Sequence, residues 1–439
     1  MSTSDPRKDH LPGIGRSDGL GRYYSKHIIG ALLVKQMTEA LPSCILDLGA
    51  GTGILARAAA DRWTAAKVVT VDIDQSSRVR LRRLMSDTTK HVHIRADALD
   101  VRLPERIRRK APAVDTAICN PPFLMPTWRK SFGPILEDAG LNGCVPLRGG
   151  SIDAALMFLA QNLRVLSATG TLGIVLPDSL ASASKYKPFR QHLLSRYFVH
   201  RAIRLPRSSF CNTDALAHIL IVSKGTPRTG LISLQALTRA GEQTTELLVD
   251  SDQAALRLDY AFHSASNRRP PKRGSACRLR DVCEGLFRGS IESAERKIIP
   301  FPVLHTSDLR APTTSSWNTF SQFDVRTRIE GSRRIVQASP GDILLARVGR
   351  HLEKQIVGVL AGNPIITDCI YRLRVIREFR EETLKQLVGT NGQRWLQTRC
   401  YGVSAKQLTK ADLLDFPLVF SGVLAERLRE IREKSNGGV

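Results

Sequence analysis

Residues 44–53 read CILDLGAGTG, an apolar run that leads into an aspartate and three alternating glycines. The run Cys44–Leu48 predicts a buried β-strand, and Ile54–Trp63 after the glycines has helical periodicity. Glycines at positions 49, 51 and 53 let the backbone turn tightly and approach a ligand without a Cβ in the way. The spacing G-x-G-x-G differs from the dinucleotide fingerprint G-x-G-x-x-G. The pattern predicts the start of an α/β unit, although many α/β turns share it.

The same alternation of apolar runs and helical segments continues to about residue 235. Short runs rich in Val and Ile predict five further strands, namely Val68–Ile73, His93–Ala96, Thr116–Cys119, Leu172–Leu176 and Ala217–Val222. Helical periodicity is found at Ser77–Asp87 and Ile152–Ser167. Such alternation predicts a doubly wound, mostly parallel sheet, in which ligands bind at the carboxyl ends of the strands.

Two further aspartates follow the next predicted strands. Asp72 comes at the end of Val68–Ile73, and Asp97 follows His93–Ala96. A carboxylate at the first place can accept hydrogen bonds from ribose hydroxyls, and one at the second can accept from an exocyclic amine. Aspartate at a strand end also caps helices, so either residue alone fits both interpretations. The complete order, with Asp47 and the glycines first, favours an adenosine-containing cofactor.

Residues 44–120 resemble the class I S-adenosylmethionine methyltransferases, whose fold is Rossmann-like with a mostly parallel sheet. In that family the glycine loop lies beside the methionine part of the cofactor. The residue that matches Asp72 holds the ribose, and the one that matches Asp97 holds the adenine. The resemblance implies S-adenosyl-L-methionine as the cofactor. We expect no metal site, because no cysteines form a C-x-x-C and none pairs with a nearby His at zinc spacing. The cofactor-binding residues that the resemblance implies here are Asp47, Gly49, Gly51, Gly53, Asp72, Ile73, Asp97 and Ala98.

The most specific motif of the chain is Asn120-Pro121-Pro122-Phe123, which follows the fourth predicted strand. Two prolines fix the backbone and remove two N–H donors, so the carbonyls of the turn stay free to accept hydrogen bonds. A planar amine can donate to the Asn120 side chain and to the Pro121 carbonyl, while Phe123 offers a flat face to its ring. Two acceptors localise the lone pair of the amine and prepare it for methyl transfer.

This motif resembles the N-P-P-[YFW] loop of the amino methyltransferases. The family includes DNA adenine-N6 enzymes, RNA guanine and adenine enzymes, and glutamine methyltransferases of release factors. The resemblance implies methylation of a planar nitrogen, with Asn120, Pro121, Pro122 and Phe123 as catalytic residues. It leaves the substrate open.

Two other segments resemble the gamma class of DNA adenine methyltransferases. The segment 21–26, GRYYSK, stands where that class has G-x-x-x-T-P, which implies that Tyr24 lines the methionine end of the cofactor. Ser25-Lys26 departs from that pattern, and an ordinary helix start also fits. Phe210 in Ser208-Ser209-Phe210 stands where the class has an aromatic residue. The resemblance implies that Phe123 and Phe210 enclose an adenine that has left the duplex stack, although a core position for Phe210 also fits the sequence.

The pattern changes after residue 235. Residues 236–275 include the basic stretch NRRPPKR and are predicted to form a linker after a catalytic domain at 1–235. Residues 276–439 show short strand-like and helical runs, which predict an α+β domain. Within it, Pro340–Gly349 and Cys400–Thr409 resemble segments of the target-recognition domains of type I specificity subunits, and Val423–Lys434 resembles their spacer-type helix. The resemblance implies a DNA-binding domain.

The composition points to a polyanionic partner. The 439 residues include 65 Lys and Arg against 41 Asp and Glu, which gives a formal net charge of +24. The basic and aromatic loop Pro126–Lys130 is expected beside a DNA strand. We find no signal peptide and no run of 18 apolar residues, and the eight cysteines are scattered as in reduced proteins. We therefore expect a cytoplasmic protein that has no membrane partner.

Together with these resemblances, the sequence predicts a sequence-specific methyltransferase of double-stranded DNA. It would methylate the N6 amine of a flipped-out adenine, in a restriction–modification or phage-defence context. A restriction endonuclease on a separate chain is compatible with this prediction. The alternative is an RNA base N-methyltransferase, against which the second domain counts. A third interpretation is a DNA-binding specificity factor with an inactive methyltransferase half, against which the intact Asn120–Phe123 motif counts.

Overall fold

The computed structural model describes residues 27–37, 41–87, 90–145, 150–207, 209–210, 215–225, 230–266, 275–309, 316–322, 335–402 and 405–436. Tyr24 and Ser208 lie outside the described residues. The chain divides into two compact units, Met1–Tyr260 and Ala261–Val439. Within the described ranges, no helix is long and apolar enough to cross a membrane.

The first unit is built on a nine-stranded sheet with the order β3-β2-β1-β4-β5-β7-β6-β8-β9. Its strands are β1 (Cys44–Leu48), β2 (Lys67–Asp72), β3 (His91–Arg95), β4 (Val114–Cys119), β5 (Leu166–Pro177), β6 (Phe198–Arg204), β7 (Ala217–Ser223), β8 (Ile232–Ala236) and β9 (Leu247–Val249). Strands β1 to β5 pair in parallel, and β7 is antiparallel to both β5 and β6. The predicted α/β fold with a mostly parallel sheet is confirmed.

Helices connect the strands of this sheet. They are α1 (His27–Gln36), α2 (Ile54–Arg62), α3 (Gln75–Leu84), α4 (Leu103–Arg108), α5 (Phe132–Asp138), α6 (Ala154–Val165), α7 (Asp178–Ser182), α8 (Lys187–Arg196) and α9 (Ser251–Leu256). All five residues of β1 are buried, as expected for a parallel strand that is covered on both faces. Helix α6 is buried over ten consecutive residues, Ala154–Leu163.

The sheet order reverses between β1 and β4, and this reversal positions the site. The chain runs from β1 to β2 and β3 on one side, and it returns on the other side as β4. Asp47 of β1 therefore lies between Thr70 of β2 and Ile118 of β4. Such a switch point opens a crevice at the carboxyl ends of the strands.

Part of the predicted linker 236–275 is built into the first unit. Residues 247–256 form β9 and α9, and the unit continues to Tyr260. The buried guanidinium of Arg190 on α8 donates to the carbonyls of Ala255 and Leu256 at 3.0 and 2.7 Å. Arg190 and Ala255 are 65 positions apart, so no local sequence pattern indicates this contact. Composition alone therefore placed the end of the first unit at residue 235, whereas the unit extends to Tyr260.

The second unit has a five-stranded sheet with the order β11-β18-β14-β16-β13. Helix α10 (Tyr260–Ser266) begins at the unit boundary. The strands are β10 (Ser275–Arg278), β11 (Cys283–Arg288), β12 (Val303–Leu304), β13 (Trp317–Thr319), β14 (Ile343–Ala346), β15 (Val348–Gly349), β16 (Ile356–Ala361), β17 (Ile365–Ile366), β18 (Ile370–Val375), β19 (Lys406–Gln407) and β20 (Pro417–Phe420). The helices are α11 (Arg380–Val388), α12 (Thr390–Arg399), α13 (Lys410–Leu414) and α14 (Val423–Asn436).

The core of the second unit lies between this sheet and its helices. It includes Ile343 and Leu345 of β14, Leu373 of β18, Leu387 of α11 and Phe420 of β20, all 0–1% exposed. Three further strand pairs, β10–β20, β12–β17 and β15–β19, surround the sheet. This mixture of short strands and helices is α+β in character, as predicted.

Candidate active site

A cavity of about 270 Å³ lies at the carboxyl ends of β1 to β4. It brings together predicted residues that are far apart in sequence. Those that line it are Asp47, Gly49, Gly51, Asp72, Ile73, Asp97, Ala98, Asn120, Pro121 and Pro122. Gly53, Phe123 and Phe210 are not part of its lining.

The three glycines after β1 have different local reasons to be glycine. Gly49, Gly51 and Gly53 all have left-handed backbone angles, with φ of 78°, 54° and 82°. A Cβ at Gly49 would lie 2.9 Å from Phe158, and one at Gly53 would lie 2.5 Å from Leu81. A Cβ at Gly51 would meet no protein atom closer than 3.9 Å. Gly51 lines the cavity, so a side chain there would occupy space that a ligand can use.

Asp72 holds the glycine loop in place. It is 6% exposed, and its Oδ2 accepts the Gly51 N–H at 2.7 Å while its Oδ1 accepts the Asp74 N–H at 2.8 Å. A carboxylate oxygen can accept more than one hydrogen bond, so both oxygens keep acceptor capacity. The same carboxylate therefore fixes the loop and forms part of the cavity wall.

Asp47 is the most deeply buried carboxyl of the cavity. It is 1% exposed, and its Oδ2 accepts the N–H of Ala56 in α2 at 3.0 Å. Burial raises its pKa from 3.8 to about 7, the Ala56 hydrogen bond opposes that rise, and the negative charge of Asp72 adds to it. A cationic group in the cavity would favour the ionised form.

Asp97 lies at the cavity together with an arginine from the loop that was expected beside DNA. Its Oδ1 accepts the N–H of Leu99 at 2.9 Å, and Nη1 of Arg129 lies 3.7 Å from its Oδ2. Arg129 is 63% exposed along its side chain and also lines the cavity. The structure thus adds a cation to this wall, which the sequence analysis did not anticipate.

The Asn120-Pro121-Pro122-Phe123 segment leaves the end of β4. The thiol of Cys119 donates to the Leu48 carbonyl at 3.1 Å and so joins the ends of β4 and β1. Beyond the motif, the carbonyls of Leu124 and Pro126 accept the N–H groups of Ala154 and Ile152, each at 3.0 Å. The segment is therefore held at both ends, by the sheet and by the start of α6.

Phe123 and Phe210 touch each other. Their ring centroids are 5.9 Å apart and their planes meet at 74°, an edge-to-face contact. Phe210 is 2% exposed. A base held between two parallel rings would need roughly 7 Å between their planes. The rings are near each other, as the predicted enclosure requires, but in this arrangement they leave no space for a base.

Phe158 is a cavity residue that the sequence analysis missed. It lies on α6, lines the cavity and occupies the space that a Cβ at Gly49 would need. It lies outside the apolar stripe that the sequence of this segment shows, which consists of Ile152, Ala155, Leu156, Leu159, Leu163 and Leu166. A large aromatic residue next to the apolar stripe of a buried helix is the sequence feature from which its position could have been predicted.

Over the described stretches, we find no group of three His, Cys, Asp or Glu side chains that could hold a metal ion.

Comparison with known proteins identifies the family. A family model described as N-6 DNA Methylase matches residues 16–254, more than half of the chain. The chain belongs to this family. The matched residues lie within the first unit, whose sheet is that of the class I methyltransferase fold.

A curated relative and two solved structures are similar to parts of this chain. A tRNA1(Val) (adenine(37)-N6)-methyltransferase from Vibrio parahaemolyticus is 32% identical over 97 residues, which cover 21% of this chain and 38% of that protein. A type I restriction-modification methyltransferase subunit from Streptococcus thermophilus is 17% identical, with a TM-score of 0.42 over 54% of this chain and 52% of that one. The type IIG restriction endonuclease BpuSI is 13% identical, with a TM-score of 0.48 over 93% and 60%. The matches span less than two thirds of the length of each of these proteins.

Proposed function

We propose that this chain methylates the N6 amine of adenine in double-stranded DNA, with S-adenosyl-L-methionine as the methyl donor. The observation that carries the proposal is one cavity with two kinds of wall. The glycine loop with Asp47 and Asp72 forms one part, and Asn120-Pro121-Pro122 forms another. Methyl transfer from a cofactor to a substrate requires that both bind next to each other. The glycine loop and the Asn120-Pro121-Pro122 motif line the same cavity, so the two ligands could bind there together.

The cavity residues fit the proposed cofactor. A Cβ at Gly51 would fill open space beside the loop, as expected where a backbone approaches a ligand closely. Asp47 is a buried carboxyl whose ionised form a ligand ammonium group would favour. Asp72 keeps acceptor capacity for hydroxyls, and Asp97 for an amine. We assign Gly49, Gly53, Ile73 and Ala98 to the same binding role, the first two because they shape the loop.

In this proposal the motif after β4 holds the target amine. When bound, S-adenosylmethionine supplies an electrophilic methyl group. The Asn120 side chain and the Pro121 carbonyl accept hydrogen bonds from the two N–H groups of the amine. These hydrogen bonds localise the lone pair of the nitrogen and direct it toward the cavity. Pro121 and Pro122 keep this turn rigid. Phe123 then stacks on the base, and Phe210 takes the opposite face once the two rings separate.

We infer that the second unit contributes sequence recognition and further phosphate contacts. Arg350, His351 and Lys354 are exposed on the connection between β15 and β16. Lysine and arginine at such a place bind phosphates in a salt-dependent way. In the full chain, Arg350→Ala is expected to weaken DNA binding and to lower the slope of log K against log salt by about one.

Expression in a bacterial host without adenine methylation tests the proposal. Single-molecule sequencing of the host DNA is expected to show N6-methyladenine at one recurrent motif. The Asn120→Ala variant, at matched protein level, should leave the DNA unmodified. Unmodified DNA from a folded wild-type protein that binds S-adenosylhomocysteine would overturn DNA as the substrate.

RNA remains a second candidate because of one observation. The curated relative from Vibrio parahaemolyticus is named as a tRNA adenine-N6 methyltransferase. Mass spectrometry of nucleosides from tRNA and rRNA of the same cells separates the two substrates. New N6-methyladenosine in RNA with unmodified DNA would favour this candidate.

A further inference from the structure

A cluster of four ionisable side chains, three of them buried, lies at the ends of β5, β6 and β7. His218 of β7 lies between two carboxylates, with its Nε2 3.5 Å from Asp259 and its Nδ1 3.8 Å from Asp178. Nη1 of Arg204 donates to both carboxylate oxygens of Asp259, at 2.9 and 2.8 Å. His218, Asp178 and Asp259 are each 1% exposed. We call these four residues the charged network.

The network encloses the two ends of the connection that carries Phe210. Arg204 is the last residue of β6 and pairs in register with His218 of β7. The connection 205–216 lies between them, and Phe210 belongs to it. The Asp178 N–H also donates to the Leu216 carbonyl at 3.0 Å, and the Leu205 N–H donates to Ala217 at 2.9 Å.

The network also links this connection to two other parts of the first unit. Asp178 begins α7 directly after β5, and its Oδ1 accepts from Ser182 at 3.1 Å. Asp259 follows α9, in the stretch that the sequence analysis assigned to a linker. Charged groups that are desolvated to this degree hold their positions, since any loosening would leave a buried charge without its partner.

We propose that the charged network fixes the two ends of the connection that carries Phe210, and thereby sets the position from which Phe210 meets the target base opposite Phe123. Its members are positioning residues, because none of them lines the cavity. The inference rests on the proposed function, since it assigns Phe210 to one face of that base. If the network only stabilised the fold, its loss would affect cofactor binding and methyl transfer equally, and would not depend on whether Phe210 is present.

A double-mutant cycle tests this coupling in the full chain. The four proteins are the wild type, His218→Ala, Phe210→Ala and the double variant, assayed on the DNA motif found by sequencing. His218→Ala is expected to lower kcat/KM roughly 10- to 100-fold, as for a misplaced reacting group. If the network acts through Phe210, the double variant should be no worse than Phe210→Ala alone. Binding of S-adenosylhomocysteine, measured by calorimetry, should be unchanged in all four.

A histidine on the same hairpin provides a matched control. His200 of β6 lies at the opposite end of the β6–β7 pair, where its Nε2 is 2.7 Å from Ser223 Oγ. His200→Ala is expected to leave kcat/KM close to that of the wild type and to be additive with Phe210→Ala. His218→Gln, which keeps a polar group, should recover part of the activity that His218→Ala loses. Asp178→Asn replaces His218→Ala in the cycle if that variant does not fold.

The possible failures can be told apart. A folded wild type without transfer activity removes the proposed function, and this inference with it. An active wild type in which the His218 and Phe210 effects multiply independently overturns the inference alone. Equal losses from His218→Ala and His200→Ala would also overturn it, because the position on the hairpin would then not matter.

Discussion

Asp47 and Asp259 are both buried carboxyls of the same unit, yet their pKa values move in opposite directions. Burial raises the pKa of Asp47 to about 7. Burial also raises that of Asp259, but the adjacent Arg204 and His218 outweigh it and hold the pKa well below its usual range. The two carboxyls differ in the charge of their partners. Asp259 accepts a hydrogen bond from the guanidinium of Arg204, whereas Asp47 accepts one from the uncharged backbone N–H of Ala56.

This contrast separates a region whose charges are paired within the protein from the region where we propose that the cofactor binds. Around β6 and β7 the carboxylate of Asp259 is paired within the protein, and its lowered pKa means that its ionised form favours the folded state. At the end of β1 it keeps a carboxyl whose charged form is disfavoured until a cation arrives. Groups with shifted pKa values that lie in a cavity are typical of functional sites, at some loss of stability.

The largest expected effect on the comparison between the two carboxyls comes from removing the charge of Asp259. Asp259→Asn leaves the guanidinium of Arg204, whose side chain is only 20% exposed, without its carboxylate, so we expect the free energy of unfolding to fall by about 3–5 kcal/mol. Urea unfolding at pH 7 measures this, with His200→Ala as the control on the same hairpin. A loss below about 1 kcal/mol would mean that this pair contributes no more than an exposed one.

Removing the charge of Asp47 should change the free energy of unfolding in the opposite direction, so that the variant is more stable than the wild type at neutral pH. The unfolded carboxyl loses its proton near pH 4, while the folded one keeps it until about pH 7. Ionisation of Asp47 therefore costs the wild type stability as the pH rises from 4 to 7, and this contribution is absent from Asp47→Asn. The variant should gain relative to the wild type across this window, by at most about 4 kcal/mol, and then level off. A difference that is flat with pH in urea unfolding would contradict the assigned pKa.

The two regions also differ in how far the sequence could predict them. The pocket residues Asp47, Asp72 and Asn120 follow strand ends in a local pattern, so strand periodicity together with the family resemblance could single them out before the structure placed them around one cavity. The charged network had no such pattern. Asp178 and Asp259 are 81 positions apart and meet only because β5, β6 and β7 pair. Strand β6 itself, FVHRAIR, was missed because His and two Arg interrupt its apolar alternation.

Changing the amide of Asn120 tests the pocket region without touching the network. Asn120→Ala removes one of the two proposed acceptors for the amine, so kcat should fall at least about 100-fold, or about 2.7 kcal/mol. Methyl transfer to DNA from labelled S-adenosylmethionine measures it. Urea unfolding and binding of S-adenosylhomocysteine should stay close to wild type. Activity near the wild-type level would remove Asn120 from the proposed mechanism.

The smallest expected effect distinguishes two glycines of the same loop. Gly51→Ala strains a left-handed residue by about 1–2 kcal/mol but meets only open space in the protein, so its main effect should be weaker binding of S-adenosylhomocysteine. Gly53→Ala carries the same strain and also meets Leu81 at 2.5 Å, so it should lose more stability. Calorimetry and thermal unfolding of both variants measure the two effects separately. If Gly51→Ala binds the cofactor product as tightly as Gly53→Ala does, the open space beside Gly51 is not where the ligand lies.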